Sequence, residues 1–361
     1  MKRKYNFLIT PLGGRNAGTE AFKGLKLTNI YNKIVATDIT DFSYGKHVCR
    51  NFYLQPYASS SGYIKTIMKI VKKENIDIII PGSDYELRAL MNNWKKFREI
   101  NVYLLINSPR VIDICMNKAK TMDFLKRNSF PFIKTRNLKI DKRNAVASFY
   151  ELKNELACPF IVKPNFYSGG SNAISIIQDK HDWNNLVEGS LRGSKQALIV
   201  QEYIDAADEE YTVGVMSDMS GGVISSFALK RDLSSAASVV LREKRKARKG
   251  KNKMPLIISS GISQGIASDF PEIRRFCENV AVKLKSTGPL NFQCRKCNGK
   301  IFIFEINPRF SGTTSIRAIL GHNDVHLIFH SIVKNVNLGQ QKYKYASVVR
   351  GRDVVFKELD K

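Results

Sequence analysis

The chain has 361 residues, 43% hydrophobic, 25% charged and 10% aromatic, an ordinary globular composition that excludes global disorder, collagen-like repeats and a disulfide scaffold. A count of 58 Lys and Arg against 32 Asp and Glu gives a net charge of +26, a field that favours anionic partners without specifying one. The longest apolar runs, Ile76–Pro81 and Val102–Ile106, are too short to span a bilayer, and Met1-Lys-Arg-Lys4 leads into no cleavage pattern, so a soluble cytoplasmic protein without a membrane partner is expected.

In chain order, Asn6–Thr10 reads as a strand, Pro11–Gly14 as a turn and Ile34–Asp38 as a second strand. Tyr63–Lys73 has helical amphipathic spacing, Ile76–Pro81 suits a buried strand, Glu86–Phe97 reads as a helix and Val102–Ile106 as a strand. This repetition predicts a parallel sheet covered on both faces. Ser108-Pro109 breaks the chain, and Arg110–Arg127 resumes as a helix that ends before Pro131. Beyond Asn137 the alternation is less regular and more α+β, with strands predicted at Phe160–Lys163, Ala173–Ile177, Leu198–Gln201 and Tyr211–Met216. A helix at Glu272–Lys285 and a hairpin of Leu290–Arg295 with Ile301–Ile306 close the set. The basic run Arg242–Lys253 interrupts it with a net +7, and the remaining +19 is spread along the chain.

The densest chemistry sits at the end of the hairpin, in Glu305-Ile-Asn307-Pro-Arg309. Strand side chains alternate, so Glu305, Asn307 and Arg309 share a face, as Asn291 and Gln293 do on the preceding strand. Their oxygens converge if Gln293 lies near Ile303 and Asn291 near Glu305, a register that needs an odd loop with a glycine bulge at Gly299. A strict two-residue Asn-Gly turn instead puts Gln293 on the face opposite Glu305. Hard oxygen donors of this kind suit Mg²⁺, and Arg309 offers a fork for phosphate or carboxylate. Lys163 ends a strand, and Ser168-Gly-Gly-Ser171 follows it. An ammonium beside a small loop with approachable N–H groups suits nucleotide phosphates. Leu198–Tyr203 leads into Gln201-Glu-Tyr-Ile204 and then Glu210, where a strand edge can read a base and a carboxylate can hold ribose hydroxyls. Each piece alone also fits an ordinary strand end or hairpin.

In this order the pieces resemble the ATP-grasp superfamily, which includes the carbamoyl phosphate synthetase large subunit, biotin carboxylase, D-alanine–D-alanine ligase and pyrrolysine-type amino-acid ligases. Ile78–Leu87, Asn117–Thr121 and Glu305–Arg309 followed by Phe310-Ser-Gly-Thr-Thr carry the resemblance, which extends over nearly the whole chain. It implies a mixed α/β and α+β fold. A Rossmann-like parallel sheet would occupy 1–109, and a two-lobed ATP-grasp fold would follow. The linker helix and small lobe would cover 110–197, the large lobe with the metal site 198–335, and a C-terminal strand or tail 336–361. Lys118 and Lys163 would then contact nucleotide phosphates, with Ser168, Gly169, Gly170 and Ser171 as a lid. Gln201, Glu202, Tyr203 and Ile204 would form the adenine hinge, and Glu210 would hold the ribose. Glu305 and Asn307 would bind Mg²⁺ with Gln293 in support, while Arg309 and Lys163 would act on the transferring phosphoryl group. The implied reaction is ADP-forming ligation of a carboxylate to an amine through an acyl phosphate. ATP and two Mg²⁺, with Mn²⁺ as a substitute, would serve small-molecule substrates, anionic ones included, in a chain that can form a homodimer. Three departures stand out: Asn117 in place of Asp, a hinge-to-Glu210 loop one residue longer than in the D-alanine ligase pattern, and Ser311-Gly-Thr313 in place of Gly-Gly.

Several residues stay open between roles. Arg231 and Arg317 could each bind a substrate carboxylate or be solvated cations, and Arg242–Lys253 is either a substrate-facing loop or a solvated one. Gly13-Gly-Arg15 looks like a phosphate cradle but lacks dinucleotide spacing. Cys294-x-x-Cys297 has no second pair to complete a zinc site. His322, His326 and His330 recur every four residues, as a metal comb or as parts of a capped, half-buried helix. A basic scaffold binding nucleic acid is the rival from another class, although no zinc-finger or RNP-type signature appears. A ligase acting on an acidic peptide or protein end is the nearer alternative.

Overall fold

The computed structural model describes residues 3–14, 16–138, 145–166, 174–190, 197–246 and 254–351. The first of its sheets is built from β1 (Tyr5–Thr10), β2 (Tyr31–Asp38), β3 (Asn51–Leu54), β4 (Ile78–Pro81) and β5 (Tyr103–Leu104), all parallel, in the order β3-β2-β1-β4-β5. Helices α1 (Ala17–Lys26) and α2 (Tyr44–Val48) cover one face, where Phe7, Ile9 and Ile80 meet Phe22 and Leu25. The other face buries Leu8, Val35 and Ile79 under α3 (Tyr63–Glu74), α4 (Asp84–Asn92) and α5 (Trp94–Glu99). The single helix expected over Glu86–Phe97 is two. Asn93 leaves helical geometry at φ −120°, and its side chain donates to the Ala89 carbonyl, which ends α4.

The helix expected over Arg110–Arg127 is also split, into α6 (Pro109–Cys115) and α7 (Lys118–Arg127). Asn117 takes an extended backbone and its Oδ1 accepts from Lys120 N at 3.0 Å, so the side chain caps α7 and starts it at Lys118. A four-stranded antiparallel sheet follows, β6 (Thr135–Leu138), β9 (Leu198–Glu202), β7 (Phe160–Pro164) and β8 (Ser175–Ile177) in that spatial order. Helices α8 (Ala145–Leu156) and α9 (Lys180–Ser190) pack on it around Phe160, Val200 and Trp183.

The largest sheet is antiparallel, with the order β16-β15-β10-β11-β14-β17. Its strands are β10 (Glu210–Ser217), β11 (Val223–Arg231), β14 (Gly265–Ser268), β15 (Pro289–Cys297), β16 (Lys300–Asn307) and β17 (Ala346–Val348). Helix α10 (Pro271–Leu284) buries one face of it through Cys277, Val280 and Leu284 against Val213, Phe292 and Ile303. A separate ribbon, β12 (Val239–Glu243) with β13 (Leu256–Ser259), reaches the smaller sheet, where Leu241, Leu256 and Ile258 pack on Ile174, Ile176 and Tyr203. After α11 (Thr314–Ile319), helix α12 (Asp324–Lys334) returns to the parallel sheet and packs Val325, Ile328 and Phe329 on Phe7 and Phe22. No helix among the described residues is long and apolar enough to cross a membrane.

Candidate functional site

The hairpin β15–β16 sets the donors of the site. Its loop is the two-residue turn, Asn298 at φ 48° and Gly299 at φ 72°, with Cys297 opposite Lys300. The three-residue loop and the pairings expected from it are therefore corrected: Gln293 lies opposite Glu305, not Ile303, and Asn291 opposite Asn307, not Glu305. A bulge inside β16 reconciles that turn with a shared face. Cys294 pairs with Ile303 and Gln293 with Glu305, so Phe304 is the extra residue and shifts the later side chains by one. Before the bulge Ile301 and Ile303 face the core; after it Ile306 does.

Glu305 and Gln293 thereby reach a cleft between the two antiparallel sheets. Lys118, Lys163, Gln201, Glu210 and Arg295 also line it, together with an apolar slot of Ile133, Ile161, Ile204 and Ile258. The cap on α7 puts Lys118 Nζ 3.6 Å from Glu305 Oε1. Lys163 is 5% exposed, and its Nζ donates to the Phe304 carbonyl at 3.4 Å. Burial pushes the Lys163 ammonium down to about 7; the positive charge of Lys118 adds to this and Glu305 opposes it. Gln201 donates to Thr135 Oγ1 at 2.8 Å, and Glu202 and Ile204 also border the slot. Tyr203 does not: its hydroxyl accepts from Ile257 N at 2.9 Å, and its ring joins the cluster under the β12–β13 ribbon.

Glu210 is fully buried and doubly held. Arg231 Nη1 donates to its Oε1 at 2.9 Å, and Arg295 Nε donates to its Oε2 at 2.8 Å. Burial alone would raise this carboxyl, but Arg295 and Arg231 keep it below its ordinary value. Arg295, which the sequence reading passed over, also donates to the carbonyls of Ile204 and Ile257 at 2.8 Å each. It fastens the segment after β9 and the ribbon to the large sheet. Its signal was present, since Asn291, Gln293 and Arg295 share strand parity.

The two substrate candidates, Arg231 behind Glu210 and Arg317 on α11, are both buried. Arg231 is 4% exposed and spends its second nitrogen on the carbonyls of Ser260 and Ile262. Arg317 is 1% exposed, laid over Gly214, and donates to Asp324 at 2.8 Å and Asn291 at 2.5 Å. Neither is a solvated cation: both are buried and paired inside the protein. Arg309 meets the parallel-sheet domain, donating through Nε to Asp84 Oδ1 at 2.5 Å and through Nη2 to Asn307 Oδ1 at 3.3 Å. Asp84, 225 residues away in sequence, is the other group that sequence reasoning missed.

Ser168, Gly169, Gly170 and Ser171 fall outside the described residues, as do 247–253 of the basic run. The described part of that run is seated: Arg245 pairs with Asp205 at 2.5 Å and Lys246 with Asp182 at 2.6 Å. The three histidines do not share one helix. His322 precedes α12 and bonds Ser225 and Asp324, while Asn323 caps the helix. Among the described residues no group of three or more His, Cys, Asp and Glu could hold a metal. The donor set of Glu305, Gln293 and Asn307 has a single formal charge and only oxygen ligands, which fits Mg²⁺ arriving with polyphosphate better than a resident metal.

Three family models match the chain: a PylC-like N-terminal domain over residues 7–105, a RimK-like ATP-grasp domain over 115–226, and ATP-grasp in the biosynthetic pathway with Ter operon over 194–354. The carbamoyl phosphate synthase large chain of Clostridium beijerinckii is 21% identical over 346 residues, which is 94% of this chain but 30% of that protein. The chain thus spans about a third of the length of this relative. N5-carboxyaminoimidazole synthetase from Staphylococcus aureus superposes with a TM-score of 0.65 at 11% identity, covering 95% of this chain and 81% of that one. The biotin carboxylase domain dimer of 2-oxoglutarate carboxylase from Hydrogenobacter thermophilus, solved with MgADP and bicarbonate, gives 0.66 at 15% identity, covering 95% and 74%. With a parallel N-terminal sheet, two antiparallel lobes around one cleft, and ATP-grasp models over both lobes, the chain is a member of the ATP-grasp superfamily.

Proposed function

We propose that the chain is an ATP- and Mg²⁺-dependent ligase that joins a small-molecule carboxylate to an amine through an acyl phosphate and releases ADP and phosphate. The observation that carries this reading is the single cleft in which Lys118, Lys163, Gln293 and Glu305 converge beside an apolar slot. The slot and the strand edge at Gln201–Ile204 suit a purine ring, with Glu202 bordering it. Lys118 and Lys163 stand where polyphosphate charge needs neutralising, and Arg309 presents a fork to the transferring phosphoryl group once Asp84 shares it. Two Mg²⁺ ions, or Mn²⁺ in their place, held by Glu305, Asn307 and Gln293, would supply further charge neutralisation.

The chemistry needs no nucleophilic side chain. A carboxylate oxygen of the substrate bonds to the γ-phosphorus as the bond to ADP breaks. The amine nitrogen then bonds to the acyl carbon as phosphate leaves, and the amine sheds a proton. Buried cations in a cleft with apolar walls stabilise the developing charge more than water does.

Mg²⁺-dependent phosphate release from ATP, measured with pools of amino acids and small carboxylates, tests the reading, with Glu305→Gln alongside. The expected result is ADP and phosphate with particular pools only, falling at least about a hundredfold in Glu305→Gln. AMP as the product nucleotide would refute the acyl-phosphate route. Failure of MgADP to raise the melting temperature would refute the nucleotide site itself.

A further inference from the structure

The helices that cover one face of the parallel sheet carry a one-sided charge. Lys65, Lys69, Lys72 and Lys73 are exposed on α3, and Lys95, Lys96 and Arg98 on α5, with Arg88 exposed on α4. The carboxylates of the same helices are largely withdrawn. Glu74 is buried and bonded to Lys33, Asp84 is paired with Arg309, and Glu86 is buried with Ser83 and Gln55. Glu99 is the exposed carboxylate that remains on them. The patch belongs to neither the cleft nor the basic run at 242–253.

Its geometry narrows the partner. Lys65, Lys69 and Lys72 recur at four- and three-residue spacing on the side of α3 opposite buried Ile67, Ile70 and Val71, so they form a stripe about 10 Å long. Such a stripe matches carboxylates repeating every three or four residues along another helix. Two neighbouring aromatic rings carry cations, Lys73 Nζ lying 5.0 Å from the Tyr53 centroid and the Arg98 guanidinium carbon 6.0 Å from that of Trp94, while Tyr85 on α4 is 52% exposed. Most of the cations are lysines, which are point charges rather than phosphate forks, and their helical spacing favours a polypeptide. We propose that the α3–α5 face docks an acidic polypeptide segment. The stripe also has a direction. Tyr63 at its start bonds Thr10 at the carboxyl end of β1, so Lys65 lies toward the sheet edge that carries Asp84, and Lys72 toward the far edge. The proposal is independent of the ligase reading.

Fluorescence anisotropy with a labelled 20-residue poly-L-glutamate probe, run at two salt concentrations, tests it. The variant is Lys65→Ala, Lys69→Ala, Lys72→Ala and Lys73→Ala together. The charge-matched control is Lys283→Ala, Lys300→Ala, Lys342→Ala and Lys344→Ala, all exposed and away from the patch. The stripe variant is expected to weaken binding about tenfold or more and the control less than about threefold, with both melting temperatures near that of the parent. Equal losses in the two variants would overturn the proposal in favour of the field of the whole molecule. Undetectable binding of polyglutamate to the parent would also overturn it. So would tighter binding of a dT20 oligonucleotide than of polyglutamate, which would make the face a nucleic-acid surface.

Discussion

Lys163 is the residue whose physics is most exposed to experiment. Without nucleotide its ammonium loses the proton near 7 because burial and Lys118 disfavour the charge. Polyphosphate beside it favours the charged form, so binding MgADP above that pH takes up a proton. Affinity is expected to be flat below pH 7 and to weaken by up to about tenfold per pH unit above it. Calorimetric titration at pH 8 in two buffers of different ionisation enthalpy should report uptake approaching one proton, and Lys163→Arg should flatten the slope. A pH-independent affinity with no proton uptake would remove Lys163 from the phosphate site. Stability moves in the opposite sense. Between 7 and the ordinary lysine value of 10.5 the unfolded chain binds more protons at this site than the folded one, so this residue's contribution to stability rises with pH across that window. Below 7 its buried ammonium weighs fully against folding.

At the scale of elements, legibility followed local pattern. The β-branched run Ile78–Ile80 and the amphipathic face of α3 were read because each records its own burial in spacing. The short strands β12, β13 and β14 were missed, since four or five residues show no period, and the pairing of β14 with β11 is between residues distant in sequence. Strand parity singled out Glu305, Asn307 and Gln293 as candidate donors, but the bulge that puts Gln293 opposite Glu305 was not legible. Nothing local distinguishes a bulge at Phe304 from a longer loop. The turn itself allows a clean test. An added Cβ at Gly299 meets nothing within 4 Å, and the same holds at Gly62, yet Gly299 sits at φ +72° and Gly62 at φ −79°. Gly299→Ala is therefore expected to cost about 1 kcal/mol through backbone handedness alone, while Gly62→Ala is neutral or stabilising by less than about 1 kcal/mol. Melting temperatures of the two variants decide it, and equal shifts would mean the turn does not hold its left-handed residues.

For the whole molecule, the question is what holds the parallel-sheet domain against the lobes that bear the cleft. Among the described residues, charged bridges at Asp84 and Glu20 span the boundary. Asp84 takes Arg309, and Arg350 donates to Glu20 Oε1 at 2.7 Å and to the Gly312 carbonyl at 2.6 Å, so the segment after β16 is held from both sides. Such partners are invisible in sequence because only the folded topology brings residues some 225 to 330 positions apart together. Arg309 and Asp84 are mostly buried, so removing one leaves the other with an uncompensated charge. Asp84→Asn is expected to cost about 1–3 kcal/mol, discounted from the fully buried case because both side chains keep some exposure. Arg309→Met should cost a similar amount. The two together should cost clearly less than their sum, because the second substitution removes a charge that the first has already stranded. Melting temperatures of the two single variants and the double variant close the cycle. Simple additivity would show that the pair does not couple the domains. Coupling would mean that the parallel-sheet domain orients the Arg309 guanidinium, so that under the proposed function the relative position of the two units would set the geometry offered to the phosphoryl group.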